Sequence, residues 1–226
     1  LRFYKRFVND DRFFSFKTLL KTGNIVDTQF CYHDIPYIYD PFDNEAFKRS
    51  KIDFFVTCTN VESGKAEYLH LTDLEEEIDG LRASASLPYV SQIVQFRGKK
   101  LLDGGCSDRI PLKAFENLGF DRNIVISTQP REHKVKDRDA YLARFFYRKY
   151  PRFCETFAHS PQTYEKTQIE LDEASQAGRA FIIRPKTTLG IKRLTHNPDD
   201  VQKGYNAGVR DAQALIPELK AWLNLQ

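Results

Sequence analysis

Apolar and polar positions change their spacing several times along this chain, and each change marks an element. IDFFVTCTN and KAEYLHL alternate with a period of two and read as strands over Asp53–Thr59 and Ala66–Leu71, joined by a turn at Glu62–Lys65. VSQIVQFRGKKLLDGG reads as a second hairpin that turns at Arg97 and Gly98. NIVIS and AFIIRP are continuous apolar runs, the pattern of strands covered on both faces. Helical spacing fills the intervals. PLKAFENLGF carries Pro111 in its first turn and Gly119 at its end, and DLEEEIDGLRASASLP is ended by Pro88. DRDAYLARFFYRKY, PRFCETFAHSPQTYEKTQIELDEASQAGR and a long segment from about Pro198 follow as helices. Upstream, an aromatic-rich stretch of loops and helical pieces holds a helix near Phe14–Lys21 stopped by Gly23, and another capped by Asp43 or Asn44. Helices interleaved with strands predict an α/β fold, with NIVIS and AFIIRP as neighbours or near neighbours in one mostly parallel central sheet. No repeat, low-complexity tract or linker interrupts the 226 residues, so a single domain over 1–226 is expected.

Composition narrows the setting. Hydrophobic content of 41% and charged content of 29% are those of a globular chain, and a net charge of +3 implies no nucleic-acid partner. No apolar run approaches bilayer length and Leu1 opens no signal-peptide pattern. Cys31, Cys58, Cys106 and Cys154 are scattered, without a CxxC pair or a histidine at ligand spacing. Free thiols in the reducing cytoplasm are therefore expected, with no disulfide frame, metal or cofactor. The chain contains no Met and does not begin with one, which fits a fragment or a processed form.

Chemistry concentrates in LLDGGCSDRIP, Leu101–Pro111, where an apolar strand runs into a carboxylate and two glycines. Asp-Gly is also an ordinary turn dipeptide. In an α/β fold, however, a carboxylate at the C-terminal end of a strand lies where ligands bind, and Asp103 there can act as general base toward a hydroxyl nucleophile. Gly104 and Gly105 would leave its oxygens and the backbone open to substrate. Cys106 has no histidine partner and reads as a small buried hydrophobe. Asp108 lacks the DxD spacing of phosphotransfer pairs and reads as a cap or surface charge. Ser84 and Ser86 lie near a helix end, where bonding to local backbone is the ordinary role. His33, His70, His133, His159 and His196 are dispersed, without metal spacing. In YLARFFYRKYPRF, Leu142, Phe145, Phe146 and Lys149 fall along one helical face. Two readings stay open: a helix packed on its own sheet with solvated arginines, or a cationic aromatic helix seated on an anionic lipid surface.

The order of these pieces, RASASLP, a hairpin ending in Asp-Gly-Gly, Ile110-Pro111 opening a helix and NIVIS after it, resembles the patatin-like phospholipase family, most closely its bacterial branch. The resemblance extends into RKYPRF and AFIIRP. It implies a three-layer α/β sandwich around a mostly parallel sheet, and a serine acylhydrolase that cleaves carboxylic esters of lipids through a Ser-Asp dyad. Asp103 corresponds to the family's aspartate, and the implied partners are a lipid or other ester substrate with peripheral membrane contact. The family's nucleophile sits in a GxSxG elbow, preceded by a glycine-rich oxyanion loop, and the 226 residues contain neither. An upstream segment bearing the first strand, the loop and the elbow is expected, and these residues alone should be inactive. The competing reading is a non-catalytic relative or fragment that binds lipid or a protein.

Overall fold

The computed structural model describes residues 1–136, 140–191 and 195–224. Helices α1 (Arg2–Phe7), α2 (Phe16–Thr22) and α3 (Asn44–Arg49) precede the hairpin of β1 (Phe54–Asn60) and β2 (Ala66–Leu71). Helix α4 (Ile78–Ser84) leads to the second hairpin, β3 (Val94–Phe96) and β4 (Lys99–Asp103). Then come α5 (Leu112–Asn117), β5 (Asn123–Ile126), α6 (Ala140–Phe146), α7 (Pro151–Gln176), β6 (Ala180–Ile183) and α8 (Pro198–Leu223). The first residues of the expected DRDAYLARFFYRKY helix, Asp137 to Asp139, lie outside the described residues.

Local chemistry explains most boundaries. Ser15 Oγ accepts the Thr18 N–H at 3.1 Å to start α2, and Gly23 ends it at φ 74°. Asp43 Oδ1 accepts the Ala46 N–H at 2.8 Å to start α3. Asn197 caps α8, with Pro198 in its first turn beside Asp199 and Asp200. Between α2 and α3, Phe30–Tyr39 winds as a wide helix whose Asp40 N–H reaches back to the Ile35 carbonyl at 2.8 Å. Pro36 lies inside that segment, where it supplies no N–H.

The chain divides into two compact units. The larger comprises Asp10–Ile110 and Lys136–Thr163, the smaller Leu1–Asn9, Pro111–Val135 and Tyr164–Gln226. In the larger unit the strands lie in the order β2-β1-β4-β3, and every neighbouring pair is antiparallel. This corrects the expectation of a mostly parallel central sheet. Both hairpins close through short turns, which make sequence neighbours antiparallel, and β4 then pairs with β1 in the same sense. NIVIS and AFIIRP do pair side by side and parallel, Asn123 opposite Ala180 through Ile126 opposite Ile183, but as a separate two-stranded sheet in the smaller unit.

One face of the larger unit's sheet buries Val56, Cys58, Leu69, Leu71, Val94 and Leu101, packed with Ala83 of α4. A second cluster joins Val61, Leu102 and Cys106 to Ala143, Tyr147 and Phe153. Helix α6 thus packs through Ala143 and the turn after it through Tyr147, whereas Leu142, Phe145, Phe146 and Lys149, the face singled out from spacing, are exposed. In the smaller unit α8 lies against β6, where the Phe181 and Trp222 rings meet at 5.8 Å. Asp172 on α7 accepts from Arg131 Nε at 2.6 Å and Arg184 Nη2 at 3.0 Å, tying the segments after β5 and β6 to the helix. Among the described residues no helix is long and apolar enough to cross a membrane.

Candidate active site

Strand β4 is an inner strand, flanked by β1 and β3, and Asp103 is its last residue. Three backbone or near-backbone ties hold that residue. Its N–H donates to the Ser86 carbonyl at 2.8 Å, which joins it to the segment after α4. Across the ladder it faces Cys58, and its carbonyl accepts from Thr59 Oγ1 at 2.8 Å. Thr59 Oγ1 also bonds Ser107 Oγ at 2.7 Å, so one buried hydroxyl ties the strand end to the turn that follows it. These ties fix the backbone of Asp103. Oδ1 accepts the Gly105 N–H at 2.6 Å and so caps the single 3₁₀ turn Gly104–Cys106.

The two glycines of this turn have different reasons to be glycine. A Cβ at buried Gly104 would lie 2.3 Å from the Thr57 carbonyl oxygen, so that position serves the close approach of turn to β1. A Cβ at Gly105 would lie 2.9 Å from Asp103 Oδ1, with Arg109 Cγ and Nη1 at 3.7 and 3.9 Å, so that position keeps a side chain from pressing on the carboxylate. Cys106 points into the core at 3% exposure, as a small hydrophobe does. Nearby, burial, then the charge of Asp103, pushes the Cys58 thiol up to about 12.

The remaining candidates take structural roles. Asp108 Oδ2 accepts from the Tyr68 hydroxyl at 2.7 Å and Oδ1 from the Ile110 N–H at 3.2 Å, a surface tie ahead of α5. Ser84 Oγ donates to the Thr57 carbonyl and Ser86 Oγ to the Arg82 carbonyl, both at 2.8 Å. His70 pairs with Asp53 at 3.0 Å and stacks on Phe55, while His196 Nδ1 meets the Val8 carbonyl. Among the described residues no group of three or more His, Cys, Asp or Glu side chains is placed to hold a metal. Thr59, Ser107 and Arg109 were not singled out from sequence. Thr59 did carry a signal, since a polar residue in a buried strand position needs a partner.

The family model described as patatin-like phospholipase matches residues 2–116, just over half of the 226 residues, and so covers β1–β4, Asp103 and both glycines. A second model, a domain of unknown function (DUF6363), matches residues 150–224. The stretches RKYPRF and AFIIRP therefore lie outside the patatin match and largely within the second. A comparison with curated proteins finds no match.

Proposed function

From the premise that this chain belongs to the patatin-like phospholipase family, we propose that it is the aspartate-bearing part of a serine acylhydrolase acting on lipid esters. The observation that carries this is the placement of Asp103, a carboxylate at the end of an inner strand, held by the Gly105 N–H of the glycine turn that follows it. Since the 226 residues hold no GxSxG, the serine comes from outside them. Its hydroxyl attacks the ester carbonyl while Asp103 accepts the proton, and backbone N–H groups of a glycine loop hold the oxyanion. Collapse of the tetrahedral intermediate returns the proton to the departing alcohol and leaves an acyl-serine. Water, deprotonated by the same carboxylate, then releases the acid. In this scheme the Gly105 N–H orients the carboxylate without a side chain pressing on it, and Gly104 lets the turn pack close to β1. The setting is the cytoplasm or its membrane face.

Asp103→Asn in the intact protein should lower turnover of a short-chain nitrophenyl ester by about 10²- to 10⁴-fold, the range a general base contributes, with the thermal melt unchanged. Turnover within a few-fold of the parent would remove Asp103 from the chemistry. The missing elbow favours a second reading, a binding protein without catalysis. The residues encoded immediately upstream of Leu1 separate the two, because only the enzyme requires a GxSxG there.

A further inference from the structure

Helix α6 exposes more apolar surface than packing on its own core accounts for. Ala143, and Tyr147 in the turn that follows the helix, are buried, whereas Tyr141, Phe145 and Phe146 are 86%, 76% and 58% exposed. Phe146 meets the Tyr89 ring at 5.5 Å, which leaves Tyr141 and Phe145 as the outward aromatics of a short helix, unusual on a surface that meets only water. The same stretch carries Arg144, Arg148, Lys149 and Arg152, with no acidic residue between Tyr141 and Cys154. None of these four cations is ion-paired with a described residue. Arg144 and Arg148 also line a cleft of about 500 Å³ with Cys154, Glu155 and His159 on the first turns of α7. The His159 ring is oriented there by a bond of 2.9 Å between Nδ1 and the Glu155 carbonyl oxygen.

We propose that this face of α6 and the start of α7 docks on an anionic phospholipid bilayer. Tyr141 and Phe145 enter the interfacial layer, and Arg144 and Arg148 take lipid phosphates at the mouth of the cleft. Apolar side chains alone would accept any bilayer, and charges alone any polyanion. Aromatics interleaved with arginines that form no ion pair among the described residues select a surface that offers both an apolar layer and negative charge. Docking of this kind rests on the reading of the chain as part of a lipid hydrolase, which would need to reach substrate in a membrane.

The test uses the intact protein, sedimented with vesicles of phosphatidylcholine alone or mixed with phosphatidylserine. Binding to the anionic vesicles should be at least about tenfold tighter, as expected for several basic side chains near such a surface. Arg144→Glu with Arg148→Glu should lose that preference, and Tyr141→Ser with Phe145→Ser should weaken binding to a similar degree. Turnover of a soluble nitrophenyl ester, measured on each variant, should be unchanged and also serves as the check on folding. A Phe145→Trp variant should gain fluorescence quenching by brominated lipid beyond that of Trp222. Equal binding to both vesicle types, or loss in neither variant, overturns the proposal. So does full binding by the Tyr141→Ser, Phe145→Ser protein, which would mark a site for polyanions such as nucleic acid. If the parent binds anionic vesicles but hydrolyses no ester, the hydrolase reading fails while docking stands.

Discussion

At the scale of single residues, the glycine pair behind Asp103 separates scaffold from chemistry. Gly104→Ala forces a Cβ against the Thr57 carbonyl, which is backbone and cannot step aside, so stability should fall by about 2–4 kcal/mol in a denaturant titration. Gly105→Ala instead presses on the Asp103 side chain, which can rotate away. That variant should melt near the parent's temperature yet lose most ester turnover, because the rotation breaks the bond from the Gly105 N–H. Cys106→Ala should keep turnover within about threefold, since a buried core thiol touches no substrate, at a stability cost of about 1–2 kcal/mol. The sequence made the special character of this spot legible: a carboxylate followed by two glycines at a strand end is a short-range pattern. It left the division of labour between the glycines illegible, because Thr57 and Thr59 arrive from a distant strand and only pairing brings them to Asp103.

At the scale of elements, the ties of α7 in the smaller unit are electrostatic and should show in acid. Burial alone would raise the Asp172 carboxyl, but hydrogen bonds from Arg131 and Arg184 outweigh it and hold it below the usual carboxylate range. A depressed folded value means stability that is present above the unfolded value of about 4 and is lost as pH falls through the folded one. With the side chain a third exposed, solvent screening leaves the contribution near 1 kcal/mol. Asp172→Asn should therefore unfold more easily by about that amount at pH 7, and the gap should close below about pH 4 in paired melts. Elements whose signals are local were readable in advance: the Arg97-Gly98 hairpin, the Gly23 stop, and the continuous apolar runs of β5 and β6. Partner choice was not. Period-two alternation says that a strand has two faces but not which edge it pairs through, so the antiparallel union of β1 with β4 could not be foreseen. For α6 and the turn after it, spacing grouped Leu142, Phe145 and Phe146 on one face, whereas the core accepts the small Ala143 and, from the turn, the hydroxyl-bearing Tyr147, which takes the Tyr89 N–H at 2.8 Å.

At the scale of the whole molecule, β5 and β6 form a parallel pair whose outward residues include Ile126, 74% exposed, and Ile124. Parallel sheets ordinarily have both faces covered, and a two-stranded one rarely stands uncovered. Beyond the C-terminal ends of these strands lies an apolar cavity of about 590 Å³ walled by Ile126, Ile183, Leu189 and the Gly204–Gly208 stretch of α8. The 226 residues expressed alone should accordingly bind a hydrophobic dye and self-associate in light scattering, and Ile124→Thr with Ile126→Thr should reduce both. A different consequence follows from the β3–β4 turn. Arg97 and Gly98 both take positive φ, 48° and 71°, the two-residue geometry that suits the twist of a hairpin. Such hairpins close within about 10 microseconds, long before distant strands meet. The first residues of β4, Lys99–Leu101, thus find their β3 partners early, whereas Leu102 and Asp103 pair only with β1 and take their final shape when that strand docks. Gly98→Ala, with open space around the Cβ but an unfavourable φ, should slow refolding several-fold and leave the unfolding rate nearly untouched. The candidate base would then be completed in two stages, a turn five residues away that starts its strand and a distant strand that finishes it.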